Sequence, residues 1–262
     1  MPEGPELRLM ADFLNQYKNT KCHGTEKSEV TKITTPNISQ ECKFMGAESR
    51  GKELMLKFDI FKNGYPDYEI KYLFTMGMSG NWVVSPLNET PPKHSHFNIV
   101  LEKDIISMID PRRFAKWKIA ETWNADRSPD PLLETNEWLY HYANKISKRK
   151  YDLIPIYELL MDQTLFNGVG NYIRAEVLYR MDIDPKLTHW EISTGFLINT
   201  IRDVMTEAYA VGGMEYAAFK NPNKINEDKN KGDWQQCYNK PNMKSIEDSN
   251  GRLFWYNPKW NL

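Results

Sequence analysis

The chain opens Pro2-Glu3-Gly4-Pro5-Glu6. Removal of Met1, expected before a small second residue, would leave Pro2 with a free secondary amine. α-Amino groups titrate near about 8, far below lysine, so much of such an amine is unprotonated near neutrality. Attack on a sugar C1′ would give an iminium, cationic without further protonation and an electron sink for later elimination. Glu3, directly beside it, is a candidate proton shuttle. The same residues also read as a helix start, with Pro5 in the first turn and Glu3 and Glu6 favouring the dipole. That reading accounts for Pro5 and Glu6 and leaves Pro2-Glu3 unexplained.

A second chemical station lies at Gly168-Val169-Gly170-Asn171. Two glycines ahead of a helix let backbone amides approach a phosphate closely, and Asn171 adds a side-chain donor. Taken alone, a glycine turn between helices explains the same residues. Two basic stretches, Arg112, Arg113, Lys116 and Lys118, then Lys145, Lys148, Arg149 and Lys150, could face polyanions or could be solvated faces. The net charge of −1 weighs mildly against a nucleic-acid partner.

The elements that must hold these stations can be read from periodicity. Residues 3–18 carry Leu7, Met10, Leu14 and Tyr17 at helical spacing. Between about 43 and 120, ELMLKF, NWVV, FNIVLE and ISMI are strand-like and separated by turn residues, as in a β-sandwich or barrel. NADRSPDP (124–131) reads as a linker, with Asp130-Pro131 expected to cap a helix running to about 145. Further helices are expected near 155–162, 170–181 and 191–211, the last stopping at Gly212-Gly213. Residues 220–233 are polar. In the tail, WQQCY and RLFWY are expected to pair as a hairpin across DSNGR. Cys22, Cys42 and Cys237 are odd in number and far apart in the chain. They suggest neither a disulfide framework nor a cysteine-rich zinc site.

PEGPE at the N-terminus resembles the formamidopyrimidine-DNA glycosylase and endonuclease VIII family, and its Gly-Pro form resembles the endonuclease VIII branch. The resemblance implies that Pro2 is the nucleophile and Glu3 the general acid and base. Ser49-Arg50-Gly51-Lys52-Glu53-Leu54 is similar to the family hairpin whose lysine reaches the lesion and a flanking phosphate, which is Lys52 here. Removing a base from a duplex requires its extrusion, at a cost of a few kcal/mol that side chains entering the void offset in part. Met78 in GMSG, with Arg112 and Phe114 in DPRRF, matches the family's void-filling trio. The family often has a histidine where Thr75 stands, which puts one phosphate contact in doubt, and His96 occupies the place of a DNA-contacting histidine or of a structural one. GVGNYIRAEVLY is similar to the helix–two-turn–helix motif almost residue for residue, and DSNGRLFWYNP resembles the zincless finger of endonuclease VIII-like 1 enzymes, whose tip arginine would be Arg252. Packing of Trp234, Phe254, Trp255 and Trp260 would then replace the metal.

The expected fold is α+β and multidomain. An N-terminal β-sandwich with an N-terminal helix (1–123) leads through a linker (124–130) to a helix–two-turn–helix domain (131–219). A loop and a zincless β-hairpin finger (220–262) complete it. The expected activity is that of a bifunctional DNA glycosylase and abasic-site lyase acting on oxidised pyrimidines and ring-opened purines. Pro2, Glu3, Lys52 and Arg252 are assigned to the chemistry. Met78, Arg112, Phe114, Asn171, Glu6, Arg113, His96 and Gly170 are assigned to DNA and the vacated space, and the loop 214–223 to the lesion pocket. The alternatives are an 8-oxoguanine preference or a binding module without chemistry. No cofactor or metal is expected, and the partner is double-stranded DNA with oxidised bases or abasic sites. A membrane span is not expected, since no run of about 18 apolar residues exists. A monomer in an intracellular, reducing setting (nucleus, cytoplasm or viral factory) completes the expectation.

Overall fold

The computed structural model describes residues 2–29, 31–214, 221–223 and 234–262. These fall into two compact units. The first holds Pro2, Glu6–Trp123, Gly213, Met214 and residues 221–223; the second holds Glu3–Pro5, Asn124–Gly212 and residues 234–262.

In the first unit, α1 (Gly4–Asn15) buries Leu7, Met10 and Leu14. It ends three residues short of expectation because the Asn15 side chain turns to β2, accepting from the Ala47 amide at 2.8 Å and donating to its carbonyl at 2.9 Å. Eight strands follow: β1 (Thr20–Lys27), β2 (Cys42–Arg50), β3 (Glu53–Lys62), β4 (Tyr65–Thr75), β5 (Asn81–Pro86), β6 (Ser95–Leu101), β7 (Asp104–Ile109) and β8 (Lys116–Ile119). They hydrogen-bond in one antiparallel order, β5-β7-β6-β1-β2-β3-β4-β8. The run folds over on itself. Phe74 on β4 meets Trp82 on β5 at 5.5 Å, and Phe97 on β6 meets Trp117 on β8 at 5.6 Å, although these strands lie far apart in the order. The two layers enclose a core of Phe44, Phe58, Tyr72, Phe74, Trp82 and Phe97, all with no exposed surface. Each such side chain contributes about 1.5–3 kcal/mol through removal from water. This is the expected sandwich.

The second unit contains α2 (Thr135–Ile146), α3 (Ile156–Leu159), α4 (Asn171–Met181) and α5 (Thr194–Ala210), then a hairpin of β9 (Lys244–Glu247) and β10 (Leu253–Tyr256). Two expectations need correction. Asp130 does not cap α2: its carboxylate accepts from the Leu132 amide at 2.7 Å, and its own amide donates to Glu134 at 2.8 Å. Residues 130–134 therefore form a turn, and the helix starts after Glu134. WQQCY is no strand, because the amides of Gln236, Cys237 and Tyr238 all donate to the Glu176 carboxylate at 2.8–2.9 Å and are spent before any ladder can form. The partner of β10 is Lys244–Glu247 instead. α5 ends as expected, with Gly212 and Gly213 at φ of 90° and 78°. Among the described residues no helix is long and apolar enough to cross a membrane.

Candidate functional site

The N-terminus of α4 is an anion site by construction, since its first amides have no partner within the helix. Its N-cap, Gly170, has no side chain to satisfy them. Glu3 does so from 169 residues away: Oε1 accepts from the Tyr172 amide at 3.0 Å and Oε2 from the Ile173 amide at 3.4 Å. A Cβ on Gly170 would stand 2.3 Å from the Glu3 carboxyl carbon, so only glycine admits the carboxylate there. Next to it the Gly4 amide donates to the Gly168 carbonyl at 2.9 Å. The pentad is thus both a helix start and something more. Pro5 lies in the first turn of α1, whereas Glu3, 1% exposed, belongs to α4. The amides that sequence reasoning reserved for a phosphate are occupied by this carboxylate.

Asn171 is also engaged. Its Nδ2 donates to the Leu253 carbonyl at 2.7 Å and its Oδ1 accepts from Arg174 Nε and Nη2 at 3.0 and 2.7 Å. Arg174 has no exposed surface and forms an ion pair with Asp248 at 2.8 Å. Its guanidinium lies 5.1 Å from the Phe254 ring, which stacks on Tyr157 at 5.0 Å. Asp248 organises the hairpin turn. Oδ1 accepts from the Asn250 and Arg252 amides at 2.9 and 3.0 Å, and the Asp248 amide donates to the Arg252 carbonyl at 2.9 Å. Burial by itself would raise its pKa, but these amides and Arg174 hold it below the ordinary aspartate value. Arg252 is exposed at the tip of this braced turn. Two α4 residues therefore hold the tail, Arg174 through Asp248 and Glu176 through the 236–238 amides. Sequence reasoning missed all three, although they lie inside motifs it quoted. Trp234 packs edge-on to Tyr172 at 6.0 Å and Trp255 lies 6.3 Å from Tyr238, so the aromatic contribution is real but accompanied by buried charge. Among the described residues no three His, Cys, Asp or Glu side chains are grouped to hold a metal.

In the first unit, Pro2 is buried. Gly51 and Lys52 form the two-residue turn between the register partners Arg50 and Glu53, and Lys52 is only 9% exposed. Glu6, fully buried, accepts from the Met214 amide at 2.8 Å. Asn223 donates to the Leu9 carbonyl at 2.8 Å, so both ends of the 214–223 loop are tied to α1. The middle of that loop, assigned to the lesion pocket, lies outside the described residues. Glu6 thus anchors this loop.

The loops that carry Met78 and Arg112–Phe114 meet. A Cβ on Gly77 would meet Phe114 at 2.6–2.8 Å, so the two loops are in contact. The Arg112 guanidinium lies 5.0 Å from the centre of the Phe114 ring, and Met78 and Phe114 are 42% and 49% exposed. Beneath them, Asp110 accepts from the Ser79 hydroxyl, from the Arg112 amide at 3.2 Å and from the Ala115 amide at 2.7 Å. Ser79 and Asp110 were not singled out by sequence reasoning. Arg113 follows in a left-handed conformation, φ 58°. His96 is buried, with protein partners at both ring nitrogens. Nε2 lies 3.1 Å from the Asp110 carbonyl and Nδ1 3.1 Å from the Ser28 hydroxyl, and burial lowers its pKa. Thr75 ends β4 opposite Lys116.

Comparison with known proteins agrees with this geometry. Residues 1–117 match the formamidopyrimidine-DNA glycosylase N-terminal domain, 128–219 its H2TH domain, and 232–259 the endonuclease VIII-like 1 DNA-binding segment. Endonuclease 8-like 1 of Homo sapiens is 29% identical, and that of Mus musculus 30%, each over 98% of this chain and 72% of the relative. Formamidopyrimidine-DNA glycosylase of Dechloromonas aromatica is 34% identical over 66% of this chain and 63% of its own. Among solved structures, Lactococcus lactis Fpg in complex with DNA containing N7-benzyl-Fapy-dG aligns with TM-score 0.79 at 18% identity. The alignment covers 98% of both chains.

Proposed function

Because the chain belongs to the formamidopyrimidine-DNA glycosylase and endonuclease VIII family, DNA glycosylases of base excision repair, we propose that it removes oxidised pyrimidines and ring-opened purines from double-stranded DNA and then nicks the strand. The Pro2 nitrogen, freed by loss of Met1, attacks C1′ of the extruded nucleotide. The N-glycosidic bond breaks and the base leaves with a proton; the sugar ring opens as Glu3 protonates its oxygen, giving an iminium between Pro2 and C1′. Loss of a C2′ proton then expels the 3′ phosphate, and a second elimination expels the 5′ phosphate. Lys52 supplies fixed positive charge near the sugar and phosphate. Met78, Arg112 and Phe114 fill the vacated space, and Arg252 enters the minor groove beside it. Asn171 reaches a phosphate by exchanging the Leu253 carbonyl for it. The protein acts as a monomer.

One observation carries this reading. Glu3, peptide-bonded to Pro2, has its carboxylate fixed on the first amides of α4 with a glycine making room for it. The carboxylate is thereby held directly beside the Pro2 amine that the chemistry needs. The pentad's Gly-Pro form and the metal-free hairpin favour oxidised pyrimidines over 8-oxoguanine. In the same direction, the endonuclease 8-like 1 relatives span 98% of the chain and the Dechloromonas glycosylase 66%. Borohydride trapping on a duplex with thymine glycol or an abasic site tests it. A covalent adduct is expected, lost when an N-terminal extension blocks Pro2. Absence of an adduct, or its survival in the extended protein, would overturn the mechanism.

A further inference from the structure

We propose that Cys22 and Cys42 form an oxidisable dithiol, a modification site that closes to an intrachain disulfide and clamps the base of the 23–41 loop. The two residues are direct partners in the β1–β2 register. Directly opposed residues of antiparallel strands lie about 4.5 or 5.5 Å apart at Cα, and both values fall within the roughly 4.4–6.8 Å span that a disulfide bridges. The side chains already face each other, with the sulfurs 2.7 Å apart and both thiols free. Closure therefore needs no movement of the strands.

Both cysteines are only 2% exposed, yet they line a cavity of about 600 Å³ together with Lys21, His23, Glu41 and Lys43. That space admits a small oxidant and excludes a protein thiol. The hydrogen bond shared with Cys42, then burial, raises the Cys22 thiol above its ordinary value. The thiolate fraction is small, so closure is slow and faster at alkaline pH. With a hydroperoxide as oxidant, one thiolate attacks the peroxide oxygen and the O–O bond breaks, giving a sulfenic acid and water or an alcohol. The second sulfur attacks the sulfenic sulfur; the S–O bond breaks, water leaves and the S–S bond forms. Two thiols lose two electrons and the peroxide gains them.

The clamp has a definable object. The loop that follows β1 is pinned back on that strand, the Thr25 amide donating to the Ile38 carbonyl at 2.8 Å and the Ile38 amide to the Thr25 hydroxyl at 2.9 Å. Its residues Thr31–Thr35 line a second cavity, of about 640 Å³, with His96, Asp110 and Arg113. A disulfide at the loop's base would fix this wall behind the Arg112–Phe114 loop under oxidising conditions. The proposal rests on no part of the glycosylase reading, and a failed borohydride trap would leave it standing.

The test uses the full chain treated with hydrogen peroxide at mildly alkaline pH, alkylated in denaturant and mapped without reduction. A Cys22–Cys42 peptide pair lighter by two hydrogens is expected, with free thiols falling from three to one and returning to three with dithiothreitol. Cys237→Ser should give the same peptide pair, and Cys22→Ser none. Recovery of both cysteines alkylated, oxidised singly to sulfinic acid, or joined between chains would overturn the proposal.

Discussion

Glu3→Gln keeps the shape of the side chain while removing its charge and its ability to donate and recover a proton. Base removal in single turnover is expected to fall by about 10²–10⁴-fold, the usual share of a general acid or base, and the unfolding midpoint to fall as well, because the new NH2 cannot accept from an α4 amide. Gly170→Ala attacks the same carboxylate from the other side. Its methyl would stand 2.3 Å from the Glu3 carboxyl carbon and push it off the Tyr172 and Ile173 amides. It should therefore slow base removal while leaving DNA binding in place; equal loss of both would show a merely structural glycine. At this scale the sequence displayed the chemical groups but not their partners. Pro2 and Glu3 could be read because their chemistry is local, and Gly170 because glycine before a helix is a recognisable signal. That the helix's anion would be Glu3, 169 residues away, has no trace in spacing or periodicity. His96 was undecided because its Ser28 and Asp110 partners follow β1 and β7, which flank β6 only once the sheet has formed.

Among the elements, the hairpin and α4 stand or fall together. Asp248→Asn leaves the Arg174 guanidinium buried without its counter-charge, a change that costs about 3–5 kcal/mol when a buried pair loses one member. Urea unfolding followed by tryptophan fluorescence would measure it. Arg252→Ala, on the exposed tip, should spare stability and slow base removal more than cleavage of a preformed abasic site. Acid acts on the same brace. Because the folded state holds Asp248 below its ordinary value, its contribution is complete above the unfolded aspartate range. It is lost as pH falls through the depressed value, and Asp248→Asn should flatten that acid limb. The hairpin was visible as a turn, DSNGR, flanked by aromatics. One of its strands was misplaced because WQQCY lies on the other side of the turn from RLFWY and carries aromatics, whereas its amides serve Glu176. A carboxylate inside a helix motif gives no sign that it will cap a distant segment.

For the whole molecule, a net charge of −1 sits beside local basic stretches, so any DNA affinity must come from where the charges lie. Binding to lesion duplex should weaken by about 0.9 log units per log salt for each phosphate neutralised, and a flat salt response would contradict a DNA groove. A strong chelator should change neither unfolding nor base removal, since Asp248, Arg174 and Glu176 brace the tail. Fold class was the most legible layer, because strand-like runs broken by turn residues recur between about 43 and 120 and helix signals recur after 130.

The docking of Glu3 onto α4 also sets an order of events during synthesis. The carboxylate's seat, residues 170–173, leaves the ribosome only after nearly two-thirds of the chain has been made. Until then Glu3 has no α4 amides to accept from. On the proposed chemistry Met1 must leave before Pro2 can act, so a protein that keeps Met1 is expected to fold and bind DNA yet give no borohydride-trapped adduct, which mass spectrometry of the trapped product would check.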